Sequence, residues 1–98
     1  MENATTIHQL WNIQKPIATE MLFQANEGKA IALKILENET LKEHITKTPA
    51  LLVCISGEAK YVEENRTLLM APGSLVKIPE NVLHKIEASA ASTFLLIK

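Results

Sequence analysis

From Glu20 onward the chain shows no helical period; short apolar segments are broken by turn-forming residues about every eight to twelve positions, which is the pattern of an all-β sandwich or barrel. The segments fall at 20–24, 29–37, 41–46, 50–56, 58–62, 67–70, 74–78, 84–87 and 93–97. Each break has its own chemistry. Asn26-Glu27-Gly28 reads as a hairpin turn, and Asn65 marks a tight connection within 63–66. Pro72-Gly73 suits the two central positions of a type II turn, because proline presets the first φ and glycine accepts the positive φ of the second. Ahead of Pro16, Ile7, Leu10 and Trp11 fall at one-turn helical spacing. Residues 1–19 are therefore expected to form a lead-in arm or helical turn, and residues 20–98 the β-barrel of a single domain; no repeat or linker divides the 98 residues, which suffice for one core.

Two segments, 51–55 and 94–97, are apolar on both faces, whereas a strand with one wet face alternates. Something must cover the second face, either another sheet of the same chain or a second subunit, and a homodimer is the expectation. Ten basic residues nearly balance eleven acidic ones, and none cluster into a phosphate-binding footprint, so no nucleic-acid partner is expected. The lone Cys54 lies in an apolar run with no neighbouring base or positive charge to make it a thiolate, and it reads as a small core hydrophobe. The N-terminal stretch has neither a basic start nor an apolar run of signal length, and the longest apolar run, 50–55, is far too short to span a membrane. A soluble cytoplasmic protein that does not bind membranes is expected.

Within 38–88, residue spacing resembles the two motifs of the cupin superfamily. The family's first motif runs Gly, five residues, His-x-His, three or four residues, Glu, six residues, Gly. Here Asn38, His44, Thr46, Ala50 and Gly57 occupy those positions. The second motif runs Gly, five residues, Pro-x-Gly, two residues, His, three residues, Asn, and is matched by Gly73, Pro79, Asn81, His84 and Ala88. Asn38 is a mild replacement, since asparagine tolerates the left-handed backbone a turn glycine supplies.

The resemblance implies a cupin-type double-stranded β-helix, a conical jelly-roll barrel of two antiparallel sheets of the RmlC-like kind, with the site at its mouth. If no bulge intervenes, strand parity then turns His44, Thr46, Ala50, Leu52 and Cys54 inward, opposite His84, Ile86 and Ala88. His44, Thr46, Ala50, Leu52, His84 and Ile86 are the candidate ligand-binding residues. In this family a catalytic metal is usually held by three histidines and a glutamate. Only His44 and His84 remain as metal ligands, because a threonine hydroxyl is a poor donor and alanine offers none. His8 lies in the lead-in, away from the motifs.

The expected function is binding of a small molecule of unknown identity in an apolar barrel pocket, with no cofactor or at most a weakly held divalent Fe, Mn, Zn or Ni. The alternative is a metal-dependent small-molecule enzyme, of oxygenase or isomerase type, using His44 and His84. Glu63-Glu64 reads as a solvated turn tip rather than a carboxylate pair.

Overall fold

The computed structural model describes residues 1–11 and 14–98; the part of the lead-in at 12–13 lies outside the described residues. Ile7–Leu10 form a short 3-10 turn, closed by a Gln9 N–H donating to the Thr6 carbonyl at 3.1 Å and a Thr6 N–H donating to Gln9 Oε1 at 2.6 Å. The helical spacing there therefore yields a single turn.

Among the described residues the rest of the chain forms β1 (Ile17–Ala25), β2 (Gly28–Ile35), β3 (Thr40–His44), β4 (Ala50–Ser56), β5 (Ala59–Glu63), β6 (Arg66–Met70), β7 (Leu75–Ile78), β8 (His84–Ala88) and β9 (Ser92–Ile97). Every expected segment is a strand, and β4 matches residue for residue. β1 begins earlier than expected because its pairing with β2 already starts at Ile17↔Ile35. The strands build a five-stranded sheet ordered β1-β2-β9-β4-β7 and a four-stranded sheet ordered β3-β8-β5-β6, with every neighbouring pair antiparallel.

The turns carry the expected backbone. Ser74 N–H donates to the Ala71 carbonyl at 2.9 Å across Pro72-Gly73, and Gly73 has φ +91, as a type II turn requires. Asn38 and Asn81, which stand where the resemblance expects glycines, have φ 63 and 62. Gly57 has φ 93, and a Cβ there would collide with Ser92 Oγ and the Ala91 carbonyl. Glycine is required at this corner by both conformation and space.

Alternation fills the barrel. Ala50, Leu52 and Cys54 of β4 are buried while Leu51, Val53 and Ile55 are only half-buried, so the two-sided apolarity resolves into an inner and an outer row. Leu52, Tyr61, Met70, Ile86 and Phe94 meet in one core cluster between the sheets. On the outer face of the five-stranded sheet, Leu51 pairs with Ile97, and Val53 with both Leu95 and Leu75. No helix among the described residues is long and apolar enough to cross a membrane.

Candidate functional site

One irregularity places the first site residue. In a regular strand Leu41 and His44, three apart, would face opposite sides of the sheet. Between them β3 carries one extra residue relative to β8: Leu41 pairs with Ile86 and His44 with His84, so three steps on one strand oppose two on the other. This bulge puts both residues on the face that carries Ile86 and His84. Bulges of this kind re-aim side chains, and here the result is a pair of facing imidazoles with ring centroids 4.3 Å apart.

The row continues across the sheet. His84 also pairs with Glu63 of β5, which pairs with Arg66 of β6, giving a polar rung His44–His84–Glu63–Arg66 at one end of the four-stranded sheet. Glu63 is not the solvated tip expected from sequence, although Glu64 beside it is exposed. The Glu63 side chain is only 9% exposed and is gripped by Arg66 through two hydrogen bonds, Nε to Oε1 at 2.8 Å and an η nitrogen to Oε2 at 2.9 Å. The buried Tyr61 hydroxyl donates to the same carboxylate at 2.6 Å. A third hydrogen bond from Arg66, to the Lys77 carbonyl at 3.2 Å, ties the rung to β7 of the other sheet.

The correction has a simple cause. Glu63 and Arg66 flank a two-residue hairpin turn and are cross-strand partners, and Glu63 shares a strand face with Tyr61 two residues earlier. The spacing Tyr-x-Glu-x-x-Arg around a turn is the signal that could have revealed this trio, because a hairpin brings its flanking residues opposite each other.

The electrostatics follow from these contacts. Arg66 above all, helped by the Tyr61 hydroxyl, holds the Glu63 carboxyl below its ordinary range against the opposing effect of burial. Burial, followed by the neighbouring Glu63 carboxylate, raises the Tyr61 phenol well above its usual value, so it stays protonated as a donor. Burial pushes His84 below the usual imidazole value, partly offset by its bond to the Val82 carbonyl. Burial likewise raises the Cys54 thiol, in keeping with its packed position.

Strand parity alone does not place the candidates: a bulge precedes His44, which lies beside His84 on a paired strand of the same sheet and not on an opposing wall. His84 is buried and its Nδ1 lies 3.1 Å from the Val82 carbonyl; His44 is exposed and its Nδ1 lies 3.0 Å from the Lys42 carbonyl. Thr46 follows β3, its carbonyl accepting from Asn81 N–H at 2.8 Å, and its Oγ1 is buried without a partner among the described residues. A buried hydroxyl left unpaired costs about 1–3 kcal/mol. Ala50, Leu52 and Ile86 belong to the packed core below. A cleft of about 770 Å³ is lined by Glu43, Glu63, Asn65, Val82, Leu83 and Lys85 among others, and not by His44 or His84.

The donor set does not fit the metal centre usual for this fold. The two imidazoles converge, but the other two ligand positions hold the Thr46 hydroxyl and the Ala50 methyl. Glu63, the nearby carboxylate, is already committed to Arg66 and Tyr61. Among the described residues no three His, Cys, Asp or Glu side chains gather into a possible metal site. A transition-metal site normally takes at least three protein ligands.

No protein-family model and no curated protein matches the chain. Solved structures do. A cupin superfamily protein from Desulfitobacterium hafniense is similar over 100% of this chain and 91% of its own, with a TM-score of 0.87 at 16% identity. An RmlC-like cupin from Shewanella frigidimarina aligns over 99% of this chain and 89% of its own, with a TM-score of 0.81 at 14% identity. A cupin 2 conserved barrel domain protein from Leptotrichia buccalis aligns over 93% of this chain and 45% of its own, with a TM-score of 0.81 at 22% identity. Two antiparallel sheets in this strand order, together with the likeness to these solved structures, give the chain the cupin fold.

Proposed function

We propose that this cupin binds a small molecule at its barrel mouth, between His44, Thr46 and His84 and above the apolar floor of Ala50, Leu52 and Ile86, and that it works with little or no bound metal. The observation that supports the reading is the pair of imidazoles in contact at 4.3 Å at the position where this fold houses its ligands, with the other metal-ligand positions held by a hydroxyl and a methyl. Ligand sites of this kind combine an apolar surface with a few convergent polar groups. The whole chain, 1–98, is read as one such domain, acting as a soluble cytoplasmic protein.

The experiment is a small-molecule thermal-shift screen of the wild type beside His44→Ala and His84→Ala. Compounds that stabilise the wild type and lose that effect in both variants support the mouth as the site. Compounds that stabilise all three proteins equally would place binding elsewhere.

The competing reading, a metal-dependent oxygenase or isomerase acting through His44 and His84, is separated by rebuilding the ligand set. Wild type is expected to bind Ni or Zn weakly, and Thr46→His with Ala50→Glu to bind at least about tenfold more tightly, consistent with the weight of individual donors in such sites. Equal affinities by isothermal titration would count against this placement of the motif positions.

A second copy of the chain is the partner read for the outer face of the five-stranded sheet. There Leu75 and Ile97 are exposed beside half-buried Leu51, Val53 and Leu95. Contiguous apolar faces of this kind mark interfaces. Light scattering that shows a monomer at high micromolar concentration would remove this part of the reading.

A further inference from the structure

We infer that two copies of this chain join edge to edge along β1, about a two-fold axis between Met21 and Leu22, so that the five-stranded sheets of both copies run on as one. The inference rests on the second-copy reading above but moves the contact from the outer face of the sheet to its edge; it is independent of the small-molecule reading.

β1 is an edge of the five-stranded sheet, and residues 19–25 of it are exposed. Met21, Leu22 and Phe23 leave 48%, 40% and 65% of their large apolar side chains in water. Glu20 is the strand's one charged residue, and β1 contains neither lysine nor proline, the residues that commonly keep a bare edge from pairing. Among the described residues no backbone hydrogen bond joins the lead-in to this edge, and a cleft of about 270 Å³ separates Leu10, Trp11 and Lys15 from residues 17–20.

The bulge in β1 decides which strand fits. Lys29 exchanges backbone hydrogen bonds with Lys98, at 2.7 and 3.0 Å, and Leu36 N–H donates to the Pro16 carbonyl at 3.0 Å. Backbone direction alternates along an antiparallel strand, so Lys34, Ala32, Ala30 and Gly28 bond to β1 through Ala18, Glu20, Phe23 and Ala25. The groups left pointing to the open edge belong to residues 17, 19 and 21 before the bulge, and to 22 and 24 after it. A straight strand laid along this edge falls out of step where two neighbours point the same way. A second β1 running antiparallel stays in step, because its own bulge falls at the same place: Met21 meets the partner's Leu22, and Thr19 meets the partner's Gln24.

Side-chain directions agree with this register. Leu33 and Ile35 enter the core cluster, so Ala30 and Ala32 face outward, and with them their partners Phe23 and Glu20. Thr19 and Gln24, paired with Leu33 and Lys29, face the other way. About the axis Glu20 therefore stands opposite the partner's Phe23 on one face, and Thr19 opposite the partner's Gln24 on the other, as cross-strand pairing requires. Charges agree as well. No two acids or two bases oppose each other along the strand, and Glu27 of the hairpin turn comes opposite the partner's Pro16, one residue from the partner's Lys15. A patch that complements itself about a two-fold axis is what joins two identical chains.

The test is sedimentation velocity of the full chain at high micromolar concentration, with substitutions at exposed positions. Wild type should be a dimer. Phe23→Glu sets a carboxylate against the partner's Glu20 twice in each dimer and should weaken it at least about tenfold, since like charges directly opposite repel. Phe23→Lys sets opposite charges together and should hold at least about threefold more tightly than Phe23→Glu. Adding Glu20→Lys to Phe23→Glu should restore the dimer. Equal weakening by the two substitutions at position 23, or no rescue by Glu20→Lys, overturns the inference.

Amide hydrogen exchange adds a readout that packing on the outer face would not move. The N–H groups of Thr19, Met21 and Gln24 should be protected in the dimer and exchange fast on dilution; a dimer in which they stay unprotected overturns the inference. A dimer indifferent to position 23 that dissociates with Leu75→Glu, an exposed residue of the outer face, overturns it and leaves the outer-face reading standing. A monomer throughout overturns both placements of the second copy and leaves small-molecule binding untouched.

Discussion

Two adjacent rungs of the four-stranded sheet obey opposite rules. In the middle rung Ile86 pairs with Leu41 on one side and Tyr61 on the other; in the rung above, His84 pairs with His44 and Glu63. The strands are the same and the separation is two residues. The middle rung joins the apolar cluster, where stability comes from buried area and close packing. The mouth rung is polar and only partly buried, with His84 buried and His44 and Arg66 exposed, and its buried groups are stable only as far as each finds a partner. Glu63 has found three hydrogen bonds, whereas Thr46 Oγ1 has none among the described residues. The difference separates apolar packing, which holds the barrel together, from polar groups whose stability depends on their hydrogen-bond partners.

Breaking the middle layer should have the largest effect. Phe94→Ala removes a fully buried ring from between the sheets and should lower stability by about 3–5 kcal/mol, read from the urea midpoint. A loss under about 1 kcal/mol would mean that this layer is not closely packed. Gly57→Val comes next. Strained backbone of this kind costs about 1–3 kcal/mol, and the overlap of the new Cβ with Ser92 Oγ and the Ala91 carbonyl adds to it. An unchanged midpoint would show that the corner can relax.

The mouth rung is tested by separating its charges. Arg66→Met leaves the Glu63 carboxylate inside with only Tyr61 as a partner, and should cost about 1–3 kcal/mol. Adding Glu63→Gln should recover part of that loss, because it removes the stranded charge; no recovery would assign the effect of Arg66 to its bond with Lys77 instead.

The smallest effect is a pH dependence. His84 and Glu63 are both held below their ordinary values of 6.5 and 4.5. Each therefore binds fewer protons in the folded state than in the unfolded chain, and stability falls as pH falls. The contribution from neutral His84 is complete above 6.5 and is lost below it, and that from Glu63 is complete above 4.5 and is lost below it. Urea midpoints between about pH 8 and about pH 5 should decline for wild type and decline less for His84→Gln. Parallel declines would show that His84 does not sense its burial.

Much of the barrel is legible in the residues because its rules are local. Alternation in Ala50-Leu51-Leu52-Val53-Cys54 marks an inner and an outer face, and Pro72-Gly73 prescribes a turn whichever sheets it joins. Asn38 could be assigned its left-handed backbone because only the motif spacing and the tolerance of asparagine were needed. The polar rung was not legible in the same way. Glu63 looks like a solvated turn residue until β5 and β6 close on it, and only pairing across the hairpin brings Arg66 to its carboxylate.

The sequence by itself therefore determined the strands, their turns and the inward row of β4. These depend on side-chain period and backbone preference, which are carried by neighbouring residues. Tertiary structure alone decided that a bulge before His44 would turn its ring toward His84, that Glu63 would be ion-paired with Arg66, and that both Nδ1 atoms would be tied to carbonyls. Register and partner choice are settled between strands distant in the chain, where a shift of one residue exchanges the faces of every side chain that follows.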